Sequence, residues 1–298
     1  MFNTNEHSME TYNQVTFNKI KIDSVDIFYR EAGKEKPETI LFLHGFPSSS
    51  FMFRNIMNDL AKEFHVIAPD YPGFGHSSIL PVTEFNYTFE HIALIMERFI
   101  DALGLSDLNL YMQDYGGPIG FRIASKRPEL IKSLLIQNAN AYPDGIGPSV
   151  KKNGALIDAA DWDGLSAAIN YMISFEGIRQ EYYSGAEQMD QISPDAFAMD
   201  SYFMERPGVK EIQHALFKNY GTNFPKYPEW HEYLRKHQPD ALIIWGGNDQ
   251  IFITPGAFAY KKDLPKAEIH ILNGGHFALE EHHLQIADLI LGFFNKRN

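Results

Sequence analysis

The sequence contains no cysteine. That excludes a disulfide-stapled scaffold, a thiolate nucleophile and zinc sites built on cysteine. Basic residues are also in short supply: 26 Lys and Arg stand against 38 Asp and Glu, giving a formal net charge of −12 and an isoelectric point near 5.4. This balance argues against nucleic acid or an anionic membrane as partner. No run approaches the ~20 apolar residues a membrane span requires. Residues 1–14 are polar and lack the apolar core of a signal peptide. A soluble, cytoplasmic chain is therefore expected. What is present is a globular composition: 298 residues, 44% hydrophobic and 21% charged, are enough for a full core plus an insertion.

Strand and helix signals alternate along the chain, which implies a mostly parallel sheet with helices on both faces. Residues 14–22 and 25–31 alternate like two half-exposed strands and are expected to form an antiparallel edge. Residues 38–43 are a continuous apolar run, as a buried parallel strand should be. A helix is expected over 51–62, a strand over 65–68 and a helix over 89–103, with Gly104 as its stop. Further strands are read at 108–112, 131–137, 241–245 and 268–272, and an amphipathic helix at 278–295. Between 141 and 238 the character changes to scattered helical spacing rich in Tyr, Phe, Met and Trp, without a buried strand. The chain thus divides into a core made of 1–140 and 239–298 and an inserted helical lid, 141–238.

The chemistry concentrates at strand ends. After the strand at 108–112 comes Gln113-Asp-Tyr-Gly-Gly-Pro118, a sharp turn into a helix. Gly116 and Gly117 permit a strained backbone and a helix packed close on the strand. Pro118 suits the first turn of that helix, whose dipole favours a negative charge at its mouth. The geometry is that of a nucleophile elbow with aspartate, Asp114, where serine usually stands. Asp249 and His276 follow two later strands, so the order is nucleophile, acid, histidine. All three lie where open α/β sheets bind ligands, beyond the carboxyl ends of the strands.

Five segments carry a family resemblance: His44-Gly-Phe-Pro47, Asp70-x-x-Gly73-x-Gly75-x-Ser77, Gln113-Asp-Tyr-Gly-Gly117, Gly247-Asn-Asp249 and Gly274-Gly-His-Phe277. Each is weak alone, but the ordered set spans residues 44–277 and resembles the α/β-hydrolase superfamily. More narrowly it resembles the aspartate-nucleophile branch of haloalkane dehalogenases, fluoroacetate dehalogenases and epoxide hydrolases. The resemblance implies an α/β-hydrolase fold, a mostly parallel sheet flanked by helices with an inserted lid. It also implies Asp114 as nucleophile, His276 as general base, Asp249 as its orienting acid, and the N–H groups of Phe46 and Tyr115 as an oxyanion hole.

The residues support this chemistry independently. A carboxylate is ionised at neutral pH and needs no base to activate it. Attack on an ester would give a reactive mixed anhydride, whereas attack on an sp3 carbon bearing a halide or an epoxide oxygen gives a stable alkyl ester. Water activated by His276 then hydrolyses that ester, with the two N–H groups stabilising the charge that develops. No cofactor is expected; the partners are a small-molecule substrate and water, and the assembly a monomer or homodimer. Epoxide hydrolysis is the first expectation. Haloalkane dehalogenases usually place Trp after the nucleophile, and fluoroacetate dehalogenases place Arg there; this chain has Tyr115. Carbon–halogen hydrolysis remains the alternative, and a non-catalytic small-molecule-binding protein of the same fold is the alternative from a different class.

For the lid, the resemblance points to Tyr220 as a proton donor to an opening epoxide. A companion tyrosine is left open among Tyr171, Tyr182, Tyr183 and Tyr202. His44, Trp162, Tyr171 and Trp230 are expected to face the substrate pocket, with Trp162 or Trp230 available to donate to a halide. The cluster Glu280, Glu281, His282 and His283 lacks the spacing of a metal site, and none is expected. Arg122 is expected to face away from the chemistry.

Overall fold

The computed structural model describes residues 14–297. The polar stretch at 1–14 therefore falls, apart from Gln14, outside the described residues. Strands β1 (Thr16–Ile22) and β2 (Val25–Ala32) pair antiparallel at one edge, as their alternation predicts. Next come β3 (Thr39–Leu43), α1 (Arg54–Leu60), β4 (His65–Pro69), α2 (Phe89–Ala102), β5 (Leu108–Gln113), α3 (Gly116–Lys126) and β6 (Ile131–Gln137). Six helices follow: α4 (Pro148–Asp158), α5 (Trp162–Met172), α6 (Phe175–Tyr183), α7 (Pro194–Met204), α8 (Val209–Asn219) and α9 (Tyr227–His237). The chain then returns through β7 (Asp240–Gly246), α10 (Pro255–Ala259), β8 (Glu268–Leu272) and α11 (Ala278–Asn295).

The eight strands form one sheet in the order β1-β2-β4-β3-β5-β6-β7-β8. From β4 onward all pairs are parallel, so the loops after β3, β5, β6, β7 and β8 emerge along a common edge. Strand β5 lies between β3 and β6 with every residue buried, and α3 covers it. That packing is close because side chains are missing. A Cβ on Gly116 would collide with the Leu43 carbonyl oxygen of β3, and one on Gly120 with the Met112 sulfur of β5. No helix among the described residues is long and apolar enough to cross a membrane.

Two expected helices differ in detail. The segment at 51–62 opens as a 3-10 turn, Ser50–Phe53, and becomes α-helical only from Arg54. The Ser50 N–H is held by the Asp70 carboxylate (2.7 Å), which ties this first turn to the loop after β4. Helix α11 is interrupted at His282, whose backbone leaves helical geometry while its Nε2 lies 3.1 Å from the Asn273 carbonyl oxygen.

The inserted helices are fastened to the sheet domain by polar contacts that local sequence patterns do not announce. Arg122 on α3 is buried and donates to Asn223 Oδ1 (2.8 Å). Asn219 Oδ1 accepts from the Phe89 N–H (3.0 Å). The Tyr182 ring stacks on Phe277 with centroids 3.9 Å apart. Ser174 and Ser193 cap α6 and α7 with side-chain oxygens, and Asp161 caps α5.

Gly116→Ala is expected to lower unfolding free energy by about 1–3 kcal/mol, because the added methyl must push β3 and α3 apart. Gly292→Ala, in α11 with nothing near its Cβ position, is expected to raise it by about 0.5–1 kcal/mol through helix propensity. Urea unfolding of both variants checks the pair; equal effects would contradict the close-packing argument.

Candidate active site

Asp114 stands between β5 and α3 with φ of 47°, a left-handed backbone that few non-glycine residues adopt. The turn lifts its side chain above the sheet edge and against the loop after β3. Gly45 makes that approach feasible, since a Cβ there would run into the Asp114 side chain and Gln113 Oε1. Asp114 Oδ1 accepts a hydrogen bond from the Phe46 N–H at 2.8 Å, and the Tyr115 N–H bonds to the same carboxylate. Burial raises the Asp114 pKa; neighbouring His276 and the two N–H groups pull against that rise.

His276 follows β8 and is buried. Its Nδ1 lies 2.8 Å from Asp249 Oδ2, and its Nε2 lies 3.7 Å from Asp114 Oδ2. With Asp249 accepting at Nδ1, Nε2 is the nitrogen turned towards Asp114. Burial alone would lower the pKa of His276. The Asp249 carboxylate, its hydrogen bond and the Asp114 carboxylate more than offset that and raise it to about 9. Asp249 is itself fixed by Asn138 Nδ2 (2.8 Å) and the Ile251 N–H (2.7 Å).

A cavity of about 240 Å³ opens over these groups. Its floor is Asp114, Asp249 and His276 with Phe46 and Tyr115; its walls come from α4, α5, α6, α8 and the loop after α8. Phe46, Ile157, Met172, Phe217, Phe224 and Phe252 make it largely apolar. The volume falls just below the ~300–1,000 Å³ of sites for drug-sized ligands, so a small occupant fits. Tyr220 lines the cavity, its ring 6.1 Å from that of Tyr115. Among the described residues no hydrogen-bond partner meets its hydroxyl, and burial keeps its pKa well above 10.

Four expected pocket residues are corrected. His44 is buried below the cavity rather than lining it; its ring stacks on Tyr71 (4.0 Å) and its Nε2 accepts from the Tyr71 N–H (3.2 Å). Burial lowers its pKa to about 4, so it is a neutral strut between the loops after β3 and β4. Trp162 begins α5 and is 55% exposed, and Tyr171 near the other end of that helix is 54% exposed. Tyr171 lies on the outward face of α5, whose inward face is Leu165, Ile169 and Met172, and Trp162 stands at the exposed first turn of that helix. Trp230 is fully buried between Phe121 and Tyr227, filling the space between α3 and α9. None of the four lines the cavity. Of the companion tyrosines, Tyr171 and Tyr202 are exposed, Tyr182 donates to Asp200 (2.6 Å) and Tyr183 packs against Phe197; none faces the cavity either.

Three site residues escaped the sequence reading. Gln113 Nε2 lies 3.0 Å from His276 Nε2, and Asn138, with φ of 42°, holds Asp249. Both are amides at the C-terminal ends of buried strands, a placement unusual enough to have marked them. Glu181 lines the cavity from α6. A glutamate in a helical, charged stretch reads as solvent-exposed, so nothing local identified it. Glu280 makes a bidentate pair with Arg54 (2.9 and 2.7 Å) and Glu281 accepts from the Gln188 N–H (2.7 Å). Among the described residues no three His, Asp or Glu side chains gather as a metal site.

The cluster can present a carboxylate to a carbon held in the cavity and an imidazole to a water beside it. Comparison with known proteins agrees with a hydrolytic role. The alpha/beta hydrolase fold family matches residues 38–283. An uncharacterized hydrolase of Saccharomyces cerevisiae, YNR064C, is 37% identical over 284 residues, covering 93% of this chain and 97% of that one. A haloalkane dehalogenase of Psychrobacter cryohalolentis is 26% identical over 289 residues, covering 90% of this chain and 87% of its own. Among solved structures, the epoxide hydrolase CorEH superposes with a TM-score of 0.76 at 22% identity, over 96% of this chain and all (100%) of that one. With its sheet order, its strand-end loops and a family match across most of its length, the chain belongs to the α/β-hydrolase family and is a hydrolase.

Proposed function

We propose that this hydrolase opens small apolar epoxides through a covalent ester on Asp114, with α4–α9 serving as the lid over the cavity. The observation that carries the reading is the division of labour between the two Asp114 oxygens. Oδ1 accepts from the Phe46 N–H, the Tyr115 N–H bonds to the same carboxylate, and Oδ2 is the oxygen nearest His276. Attack on an epoxide carbon by Oδ2 makes Oδ1 the carbonyl oxygen of the ester, already in place on its donors. Water deprotonated by His276 Nε2 then adds to that carbonyl, and the charge develops on Oδ1, where the N–H pair stabilises it. For a carboxylic-ester substrate the same donors would have to receive the substrate's oxygen, and here a side-chain oxygen of the enzyme takes them.

Charge favours the sequence of steps. The Asp114 carboxylate helps to hold the His276 pKa at about 9. Ester formation removes the Asp114 contribution to that shift. Tyr220, with its hydroxyl unpartnered among the described residues and its ring on the cavity wall, hydrogen-bonds the epoxide oxygen. Carbon–halogen hydrolysis is the second reading, kept open by the dehalogenase relative and by the same Asp114 chemistry. Neither Trp162 nor Trp230 lines the cavity to receive a halide, which favours the epoxide.

Asp114→Ala should form no covalent adduct. His276→Ala should accumulate an alkyl ester on Asp114 and lose turnover by at least about 10³-fold; intact-protein mass spectrometry and peptide mapping read both. Failure of His276→Ala to form the ester would contradict attack by a carboxylate that needs no base. Tyr220→Phe should reduce kcat/KM for epoxides by about 100-fold, with a smaller effect on haloalkanes, and unchanged epoxide kinetics would make Tyr220 a packing residue. Asp114→Asn should lower the His276 pKa from about 9, measured by NMR titration of the imidazole. An unchanged value would exclude coupling between the two groups.

A further inference from the structure

Glu181 is the cavity group that the reaction above leaves unused. It sits on α6, in the middle of a face formed by Gly177, Glu181 and Ser184, at the i, i+4, i+7 spacing that aligns side chains along one side of a helix. Beside that face α6 is held in place: Tyr182 stacks on Phe277 and donates to Asp200, and Ile178 is fully buried. Glu181 therefore faces the cavity that holds Asp114, His276 and Tyr220. Among the described residues no side chain or backbone group hydrogen-bonds or ion-pairs with its carboxyl. It is half-buried and opens onto the cavity, so its carboxyl is free to meet a bound molecule.

We propose that Glu181 is the acid that gives its proton to the oxygen leaving carbon when Asp114 attacks the epoxide, a step that rests on the Asp114 reading. The carbon–oxygen bond breaks with its electron pair going to oxygen, and that oxygen takes the Glu181 proton, leaving a Glu181 carboxylate and a hydroxyalkyl ester. In the second step one water hydrogen ends on the diol oxygen released from Asp114. The other, shed as Asp114 returns to carboxylate, reprotonates Glu181. The sum is epoxide plus water giving diol, with every group restored.

The surroundings match this cycle. Burial is the main cause holding the Glu181 carboxyl protonated, with a pKa raised to about 8; His276 opposes the rise, and Asp114, Asp249 and Asp200 add to it. Tyr115 also faces it from the turn after β5. When Asp114 becomes an ester its charge disappears, and Glu181 turns more acidic as the epoxide oxygen needs a proton. Tyr220, with a pKa well above 10, would leave a buried phenolate if it gave up its proton, so it orients the oxygen while Glu181 protonates it. This also accounts for the absence from the cavity wall of the companion tyrosine.

The test uses the full chain carrying His276→Ala, which traps the ester, with 1,2-epoxybutane as probe and intact mass as readout. Adding Glu181→Gln should slow ester formation by about 10²–10³-fold. It should also remove the decline in rate that Glu181 imposes at high pH, which lies above about 8 in this background because His276 no longer lowers the Glu181 pKa. Glu181→Asp should recover part of the rate, and circular dichroism should show all variants folded. Ester formation in the Glu181→Gln variant within about threefold of its parent, or with the same pH decline, overturns the assignment of Glu181 while leaving Asp114 in place. No ester in the parent itself would overturn the Asp114 reading and Glu181 with it.

Discussion

The site depends on one backbone conformation. Asp114 occupies the left-handed region, at φ of 47°, which costs roughly 1–3 kcal/mol for a residue with a side chain. The strain is tolerated because the turn is clamped from both sides. Strand β5 is hydrogen-bonded to β3 and β6 below it, and α3 is drawn onto the sheet through Gly116. Gly45 clears the space for the carboxylate, and the next residue, Phe46, supplies an N–H to it. Relaxing the turn would move the Asp114 carboxylate off the Phe46 and Tyr115 N–H groups. Backbone geometry and site chemistry are therefore the same constraint.

Around that turn a second layer of polar groups fixes the loops relative to one another. The Asp70 carboxylate accepts from the Ser50 and His76 N–H groups (2.7 Å each), joining the loops after β3 and β4. His44 bridges the same two loops as a neutral ring. Asn138 does for β6 and β7 what His44 does for β3 and β4, donating to Asp249 and accepting from the Gly246 N–H (2.9 Å). Arg54 and Glu280 add a nearly buried ion pair between α1 and α11. Removing one partner of such a pair costs about 3–5 kcal/mol, because the other charge is left without compensation. Each tie is polar and largely buried, so each is stable only when complete, and together they hold the loops after β3, β4, β6 and β7 in register.

The sheet was legible because its signal is local. Runs rich in apolar residues at β3, β5, β6 and β7 report burial, and the alternation in β1 and β2 reports an exposed edge. Asp114, Asp249 and His276 were legible because each stands in the loop after a recognisable strand, so the position of the strand gives the position of the residue. The inserted helices lack that link. An aromatic residue in an amphipathic helix can face the cavity, the sheet domain or water, and spacing alone does not say which. Trp230 went to the interface with α3, Trp162 and Tyr171 to the surface, and Tyr220 to the cavity. Glu181 went unmarked for a related reason: nothing local distinguishes a charged helical residue that faces a cavity from one that faces water.

In the proposed reaction the net charge of the cavity hardly changes. Burial makes a second full negative charge there expensive, because a low-dielectric surrounding cannot solvate it. Asp114 begins as the anion, flanked by His276 and two N–H dipoles. On ester formation that charge passes to the acid that protonates the epoxide oxygen, and in the second step it returns to Asp114. An acid that is neutral beside an Asp114 anion and anionic beside an Asp114 ester meets this requirement. A carboxyl on the facing wall of the same cavity is such an acid, whereas a phenol would be left as a buried phenolate and a solvent-exposed carboxyl would already have lost its proton. The apolar lining is therefore part of the mechanism as well as of substrate recognition: it keeps Glu181 protonated until Asp114 has reacted.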